Sequence, residues 1–161
     1  MRIGQGVDAH VLVAGRPLRL GGVDVPHDRG LEGHSDGDVL LHAIASALLG
    51  ALGDGDLGRH FPSSDPALEG IASVEILTRV AVRLRERGYA VGNVDATIVA
   101  QAPRLAAHLE KMEGVIAGVL DIASDRINVK VTSTDHLGAI GRGEGIAAFA
   151  VALLESTPEP S

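Results

Sequence analysis

The stretch Asp38–Leu52 (DVLLHAIASALLGAL) is apolar around most of a helical circumference and carries one histidine, His42, within it. A helix of that kind is packed on more than one side, so the rest of the chain must wrap around it. Asp36, just upstream, is the expected N-cap. Aromatic residues make up only 2% of the chain and Trp is absent, so the core around this helix must be Ala, Val, Leu and Ile. A length of 161 residues suits one domain with a real core and leaves little room for a second.

The chain has no cysteine. Disulfides, iron–sulfur clusters, thiolate zinc sites and cysteine nucleophiles are excluded, and any metal must be held by His and carboxylate ligands. A formal net charge of −7 and a pI near 5.4 argue against a nucleic-acid partner, which needs a basic footprint. Single-stranded nucleic acid would also lack its aromatic stacking platforms. Bound phosphate would have to rely largely on backbone amides and metal. No stretch approaches the ~18 unbroken apolar residues of a membrane span, and the opening MRIGQGVDAH is not a leader peptide, so no membrane partner and a cytoplasmic location are expected.

Along the chain, Arg2–Ala9 reads as a strand and Pro17–Val25 as strands or a hairpin around Gly21-Gly22. Residues Ile71–Arg87 place Ile76, Val80 and Leu84 on one helical stripe with arginines gathered at the C-terminal end, and Gly88 is a natural stop. Val94–Ala100 is the next strand. Pro103 is expected to open a helix reaching about Leu120, and Ile127–Thr134 a further strand, giving a βαβαβ order. Gly138–Gly145 reads as a glycine-rich loop, Ile146–Leu154 as a terminal strand, and Ser156–Ser161 as a disordered tail after a domain spanning residues 1–155.

Asp8 and His10, two apart on a strand, face the same way, and His42 on the following helix can complete the set of three N/O ligands that a catalytic zinc site needs. Taken alone, Asp-x-His also arises by chance, and a helical histidine is often just hydrogen-bonded. His34-Ser35-Asp36-Gly37-Asp38 enters the helix where amides attract phosphate, or is an ordinary capped loop. Asp54–Gly58 and Phe61–Asp65 are polar turns able to bind sugar hydroxyls or simply to be solvated. Thr132-Ser133-Thr134-Asp135 with Arg142 offers hydroxyls, a carboxylate for Mg²⁺ and a cation at one strand end, a set suited to phosphoryl chemistry. Gly141-x-Gly143-x-Gly145 is not a dinucleotide fingerprint, because its spacing and context differ.

From Arg2 to Leu154 the chain closely resembles the 2-C-methyl-D-erythritol 2,4-cyclodiphosphate synthase family. The resemblance is carried by Gly4-x-Gly6-x-Asp8-x-His10, Gly21-Gly22-Val23, His34-Ser35-Asp36-Gly37-Asp38-Val39-x-x-His42, Gly92-Asn93-Val94-Asp95, Ala100-Gln101-Ala102-Pro103, Asn128-Val129-Lys130 and Gly141-Arg142-Gly143-Glu144-Gly145-Ile146. It implies a single-domain α/β (α+β) sandwich, a mixed β-sheet covered on one face by helices. It also implies a homotrimer whose sheets face the trimer axis and whose active sites lie between subunits.

The implied reaction is attack by the 2-phosphate of 4-diphosphocytidyl-2-C-methyl-D-erythritol 2-phosphate on its own β-phosphorus, expelling CMP. The resemblance further implies zinc at Asp8, His10 and His42, and Mg²⁺ or Mn²⁺ held by Asp135. His34 and Ser133 would stabilise the transition state, with Ser35 beside them. Asp56, Leu57 and Gly58 would bind the erythritol hydroxyls, and Phe61, Pro62, Ser63, Ser64 and Asp65 would line the same pocket. Ala100, Gln101, Ala102, Pro103, Arg104, Leu105 and Ala106 would receive cytosine, and Thr132, Ser133, Thr134 and Asp135 the phosphates. Ala139 and Arg142 would also contact substrate, Arg142 as a cation for phosphate, and Ala139 together with Val7 would border an axial channel proposed in the family to bind an isoprenoid diphosphate.

Several positions depart from the usual family pattern. Asp135 stands for Glu and has a shorter reach to Mg²⁺, and Ser133 stands for Thr and keeps the hydroxyl. Val7 and Ala139 occupy positions often aromatic, which implies a wider or empty channel. Ser46 replaces an Asp near the zinc helix, which implies loss of an acceptor behind a ligand. Two rivals stand beside the synthase. One is a trimeric metal- or nucleotide-binding module without turnover, and the other is a phosphohydrolase using metal-bound water.

Overall fold

The computed structural model describes residues 1–157. The chain begins with strands β1 (Arg2–Ala14), β2 (Leu18–Leu20), β3 (Val23–Val25) and β4 (Arg29–Leu31), followed by helices α1 (Val39–Leu52), α2 (Leu57–His60) and α3 (Ser73–Glu86). Strand β5 (Tyr89–Val99), helix α4 (Leu109–Leu120), strand β6 (Ile127–Thr132), the single-turn helix α5 (Gly138–Gly141) and strand β7 (Gly145–Ser156) complete it. Five strands form one sheet in the order β4-β1-β7-β5-β6. Every neighbouring pair is antiparallel except β5 and β6, and that parallel pair is joined through α4, since parallel strands need a long crossover. The mixed α+β sandwich expected from the sequence is therefore present, with helices on one face.

Strand β1 continues past the expected Ala9, because its first part pairs with β7, from Arg2↔Leu154 to Val11↔Gly145, and its last three residues pair with β4. Alternation along the strand turns Gly4, Gly6 and Leu12 inward with Asp8 and His10, and leaves Ile3, Gln5, Val7 and Val11 exposed. Helix α1 lies directly on this strand. A Cβ at Gly6 would fall 1.9 Å from the Ala43 carbonyl oxygen, and one at Gly4 1.9 Å from that of Ala47. Glycine on the strand against Ala43, Ala47 and Ala51 on the helix thus brings the two backbones together. Nearly every side chain of α1 is buried, from Val39 and Leu40 to Leu49 and Leu52. At its C-terminal end Gly53 adopts φ 71° and the Arg2 guanidinium donates to the Leu52 carbonyl at 2.6 Å.

The N-cap of α1 is Asp38 rather than the expected Asp36. The Asp38 carboxylate accepts from the Leu41 amide at 3.1 Å and from Gly21 and Gly22 at 2.9 and 2.7 Å, tying the β2–β3 hairpin to the helix. Gly21 and Gly22 both have positive φ, 59° and 73°, as a tight two-residue hairpin turn requires. Burial raises the Asp38 carboxyl to about 6, against the lowering effect of those amides. Asp36 lies too early to cap α1, and its carboxylate instead accepts the Ser73 amide at 3.1 Å at the start of α3. The cap position of α3 itself, Ala72, has no side chain able to do this.

Helix α3 buries Ile76, Val80 and Leu84 as expected, and α4 buries Met112, Ile116 and Leu120. Pro103 does not open α4. It lies in the loop after β5, where Leu105 plugs into the core, and the α-helix begins only at Leu109 after a 3-10 turn at Ala106–His108. Strand β5 starts at Tyr89, earlier than expected, and β6 stops at Thr132. The glycine-rich loop contains α5, and β7 reaches Ser156, whose neighbour Thr157 donates its amide to the Gly88 carbonyl at 2.9 Å. Ser156 and Thr157, read from the sequence as tail, are thus placed by strand pairing and a backbone hydrogen bond, and residues 158–161 of the expected tail lie outside the described residues. Among the described residues no helix is long and apolar enough to cross a membrane.

Candidate metal centre and substrate clefts

The inward face of β1 and the middle of α1 bring three donors together. His10 Nε2 lies 2.8 Å from Asp8 Oδ2, His42 Nδ1 lies 2.9 Å from the same oxygen, and the two ring nitrogens are 3.3 Å apart. Each residue offers one ligand atom, all within 4.8 Å of one another, the spacing of a set converging on one ion. The remote nitrogen of each ring is engaged elsewhere. His10 Nδ1 meets the Glu32 carbonyl, and His42 Nε2 meets Ser73 Oγ at 2.9 Å and Ser35 Oγ at 3.1 Å. Metal-binding histidines are held in this way, with the ligand nitrogen left free by a hydrogen bond at the other. The donor set fits a divalent ion such as zinc, which accepts N and O ligands.

Burial works against the charged form of Asp8, but the imidazoles of His10 and His42 outweigh it and hold the carboxyl well below the usual carboxylate range. The hydrogen bond that His10 donates to the Asp8 carboxylate raises His10 above its ordinary value, against the opposing effect of burial. Ser46 takes no part in this arrangement. The acceptors behind His42 come from the loop before α1 and from the start of α3, so the departure at position 46 leaves His42 with partners.

A cleft of about 410 Å³ opens beside the three donors and is lined by Asp8, His10, His34, Ser35, His42, Leu57, Gly58, Phe61, Ser63, Leu68, Ile71 and Ile76. His34 is exposed at its mouth. The Arg16 guanidinium donates to the Gly33 carbonyl at 3.1 Å and the Ser35 carbonyl at 2.9 Å, clamping the loop on both sides of His34. Asp56 caps α2 by accepting the Arg59 amide at 2.9 Å, which occupies one carboxylate oxygen. Asp65 caps the next turn in the same way, accepting from Ala67 at 2.9 Å. Pro62, Ser64 and Asp65 belong to the same loop but are not among the lining residues. Sequence reasoning missed Arg16, Leu68, Ile71, Ser73 and Ile76, since nothing in the local sequence places them beside His34 or His42.

The other expected residues gather elsewhere. A second cleft of about 310 Å³ is lined by Ala100, Gln101, Pro103, Arg104, Leu105, Ala106, Val131, Thr132 and Ser133, with Ala102 in the same loop. Beyond Ser133, Thr134 Oγ1 donates to the Leu137 carbonyl at 2.7 Å, and Gln101 Oε1 accepts the His136 amide at 3.0 Å. Asp135 and His136 both lie in the left-handed region, at φ 49° and 65°. Arg142 donates to Glu144 at 2.6 Å, and Ala139 is exposed on α5. The two clefts share no lining residue, so within one chain Asp135 and Ser133 are not brought to Asp8, His10 and His42.

A helix-covered mixed sheet with a His/carboxylate ligand set beside an apolar-walled cleft defines an α+β protein with a built-in candidate metal centre. The chain belongs to the YgbB family, whose pattern matches residues 1–155. It is 61% identical over 161 residues to the 2-C-methyl-D-erythritol 2,4-cyclodiphosphate synthase of Geotalea daltonii, covering 100% of this chain and 94% of that one. A solved 2C-methyl-D-erythritol-2,4-cyclodiphosphate synthase in a CDP-bound form superposes with a TM-score of 0.88 at 34% identity, covering 96% of this chain and all of the other. The bifunctional IspDF of Campylobacter jejuni superposes with a TM-score of 0.93 at 41% identity, and there the match spans 96% of this chain and 42% of the longer one.

Proposed function

We propose that this chain converts 4-diphosphocytidyl-2-C-methyl-D-erythritol 2-phosphate into 2-C-methyl-D-erythritol 2,4-cyclodiphosphate and CMP, in the non-mevalonate isoprenoid pathway of the cytoplasm, with residues 1–155 as the functional domain. The observation that carries this reading is the meeting of Asp8, His10 and His42 with His34 and Ser35 at one cleft, in a chain whose relatives bear that synthase name. An oxygen of the 2-phosphate bonds to the β-phosphorus, and the bond from that phosphorus to the bridging oxygen breaks, so CMP leaves with the oxygen. The nucleophile is already an anion within the substrate, and catalysis reduces to positioning and charge neutralisation.

Asp8, His10 and His42 would hold zinc, and Asp135 Mg²⁺ or Mn²⁺, the ions supplying neutralisation of phosphate charge. His34 and Ser133 bracket the reacting phosphates, while Asp56 and Gly58 bind the erythritol hydroxyls. The backbone from Ala100 to Ala106 receives cytosine. Because the two clefts are separate within one chain, a complete site forms between subunits of a homotrimer. The exposed apolar face of β1 and β7, comprising Ile3, Val7, Val11, Phe149 and Val151, is the surface such an assembly would bury. Phe149 stands opposite Val7 in register and supplies an aromatic ring beside the aliphatic position 7, bordering an axial channel for an isoprenoid diphosphate.

The test is ³¹P NMR of the protein with the cytidine substrate and Mg²⁺, with and without chelator, and with His42→Ala. Cyclic diphosphate and CMP should appear together and vanish in both controls. Free inorganic phosphate would point to a hydrolase, and bound but unchanged substrate to a binding module.

A further inference from the structure

The ring of His42 is held from behind by a chain of groups outside the ligand set. Its Nε2 lies 2.9 Å from Ser73 Oγ, and the Ser73 side chain is completely buried. The Ser73 hydroxyl has a single proton, and it is donated to Asp36 Oδ1. A lone pair of Ser73 therefore faces the ring, and His42 must donate from Nε2, leaving the Nδ1 lone pair directed at the metal site. Ser35 Oγ also lies near, at 3.1 Å, but it is already engaged by the Gly37 amide at 3.1 Å and has no carboxylate behind it.

Asp36 is fixed in turn by the Ser73 amide at 3.1 Å and the Asp38 amide at 3.2 Å, while its own amide donates to the Ile71 carbonyl at 3.2 Å. One carboxylate thus serves as the missing cap of α3 and polarises the hydroxyl behind His42. We propose that Ser73 and Asp36 are positioning residues that fix His42 with Nδ1 toward the metal, so that metal affinity depends on how α3 begins. This rests on the reading of Asp8, His10 and His42 as metal ligands.

The test is zinc affinity, measured by competition with a chromophoric chelator, for the wild type, Ser73→Ala, Asp36→Asn and Ser35→Ala. The His42 Nε2–H resonance of each zinc-loaded protein is followed by NMR. Ser73→Ala should bind zinc roughly 10- to 100-fold more weakly, and its Nε2–H proton should lose its downfield shift and its protection from exchange. Asp36→Asn, at a partly exposed position, should fall between wild type and Ser73→Ala, and supplies the reading if Ser73→Ala folds poorly. Ser35→Ala should stay within a few-fold of wild type. Unchanged zinc affinity and Nε2–H signal, with only a lowered melting temperature, would reduce the pair to a helix cap and overturn the proposal. A larger loss in Ser35→Ala would overturn it in favour of Ser35. Failure of the wild type to bind zinc would overturn the metal reading first, a result distinguishable at once from the other two.

Discussion

At His10 and His42 one ring nitrogen turns toward Asp8 and the proposed metal, and the other is tied to the protein. Asp8 and His10 were legible as a pair because a two-residue spacing on a strand places both on one face. Their hydrogen-bond partners were not, because Glu32 and Ser73 come from segments distant in sequence. Asp36 and Asp38 are the instructive reversal. Both precede the helix and both are good caps, and the choice falls to Asp38 because the hairpin amides of Gly21 and Gly22 also converge on it. With its carboxyl raised to about 6, Asp38 contributes stability that is fully present below the ordinary carboxylate value of 3.8 and is lost as pH rises through about 6. The advantage of the zinc-free wild type over Asp38→Asn should therefore be greatest at the acid end and shrink by roughly 2 kcal/mol between pH 4 and pH 7. Urea unfolding of both proteins across that range would measure it, and an advantage that grows with pH would contradict it.

At the scale of elements, the contact between β1 and α1 decides whether the ligands meet. The apolar circumference of α1 made its burial legible, and the stripe of α3 was equally plain. The full length of β1 was hidden because glycines and polar residues interrupt its apolar alternation, and α2 is too short to leave a periodic signal. Gly6→Ala would force a methyl against the Ala43 carbonyl, with no flexible side-chain end to yield. About 1–3 kcal/mol of stability should be lost through overpacking, and zinc affinity should fall as His42 is pushed from Asp8. Thermal unfolding and chelator competition on the same sample would show both effects. Retained zinc affinity in a destabilised protein would mean that the helix can shift without moving His42.

For the whole molecule, the side of the sheet without helices exposes Ile3, Val7, Val11, Phe149 and Val151, the face proposed to meet other subunits. The expected residues fall into two clefts of one chain, a division that no local sequence pattern states because it depends on which distant segments pack together. Phe149→Asp, which places a charge in the middle of the exposed apolar face, should give monomers in sedimentation velocity. Those monomers should keep wild-type zinc affinity, since Asp8, His10 and His42 belong to one chain, and should release no CMP. Full activity in a monomer would remove the case for a shared site.

The same strand serves both sides, and this leaves little room for insertions and deletions within β1. One residue added between Met1 and Arg2 precedes the paired strand and leaves its register unchanged. One residue added between Gly6 and Asp8 would exchange inside for outside over the rest of β1. It would carry Asp8 and His10 to the face proposed to meet other subunits and turn apolar neighbours toward His42, so that a single frame-preserving insertion would cost the proposed metal centre and the proposed assembly together.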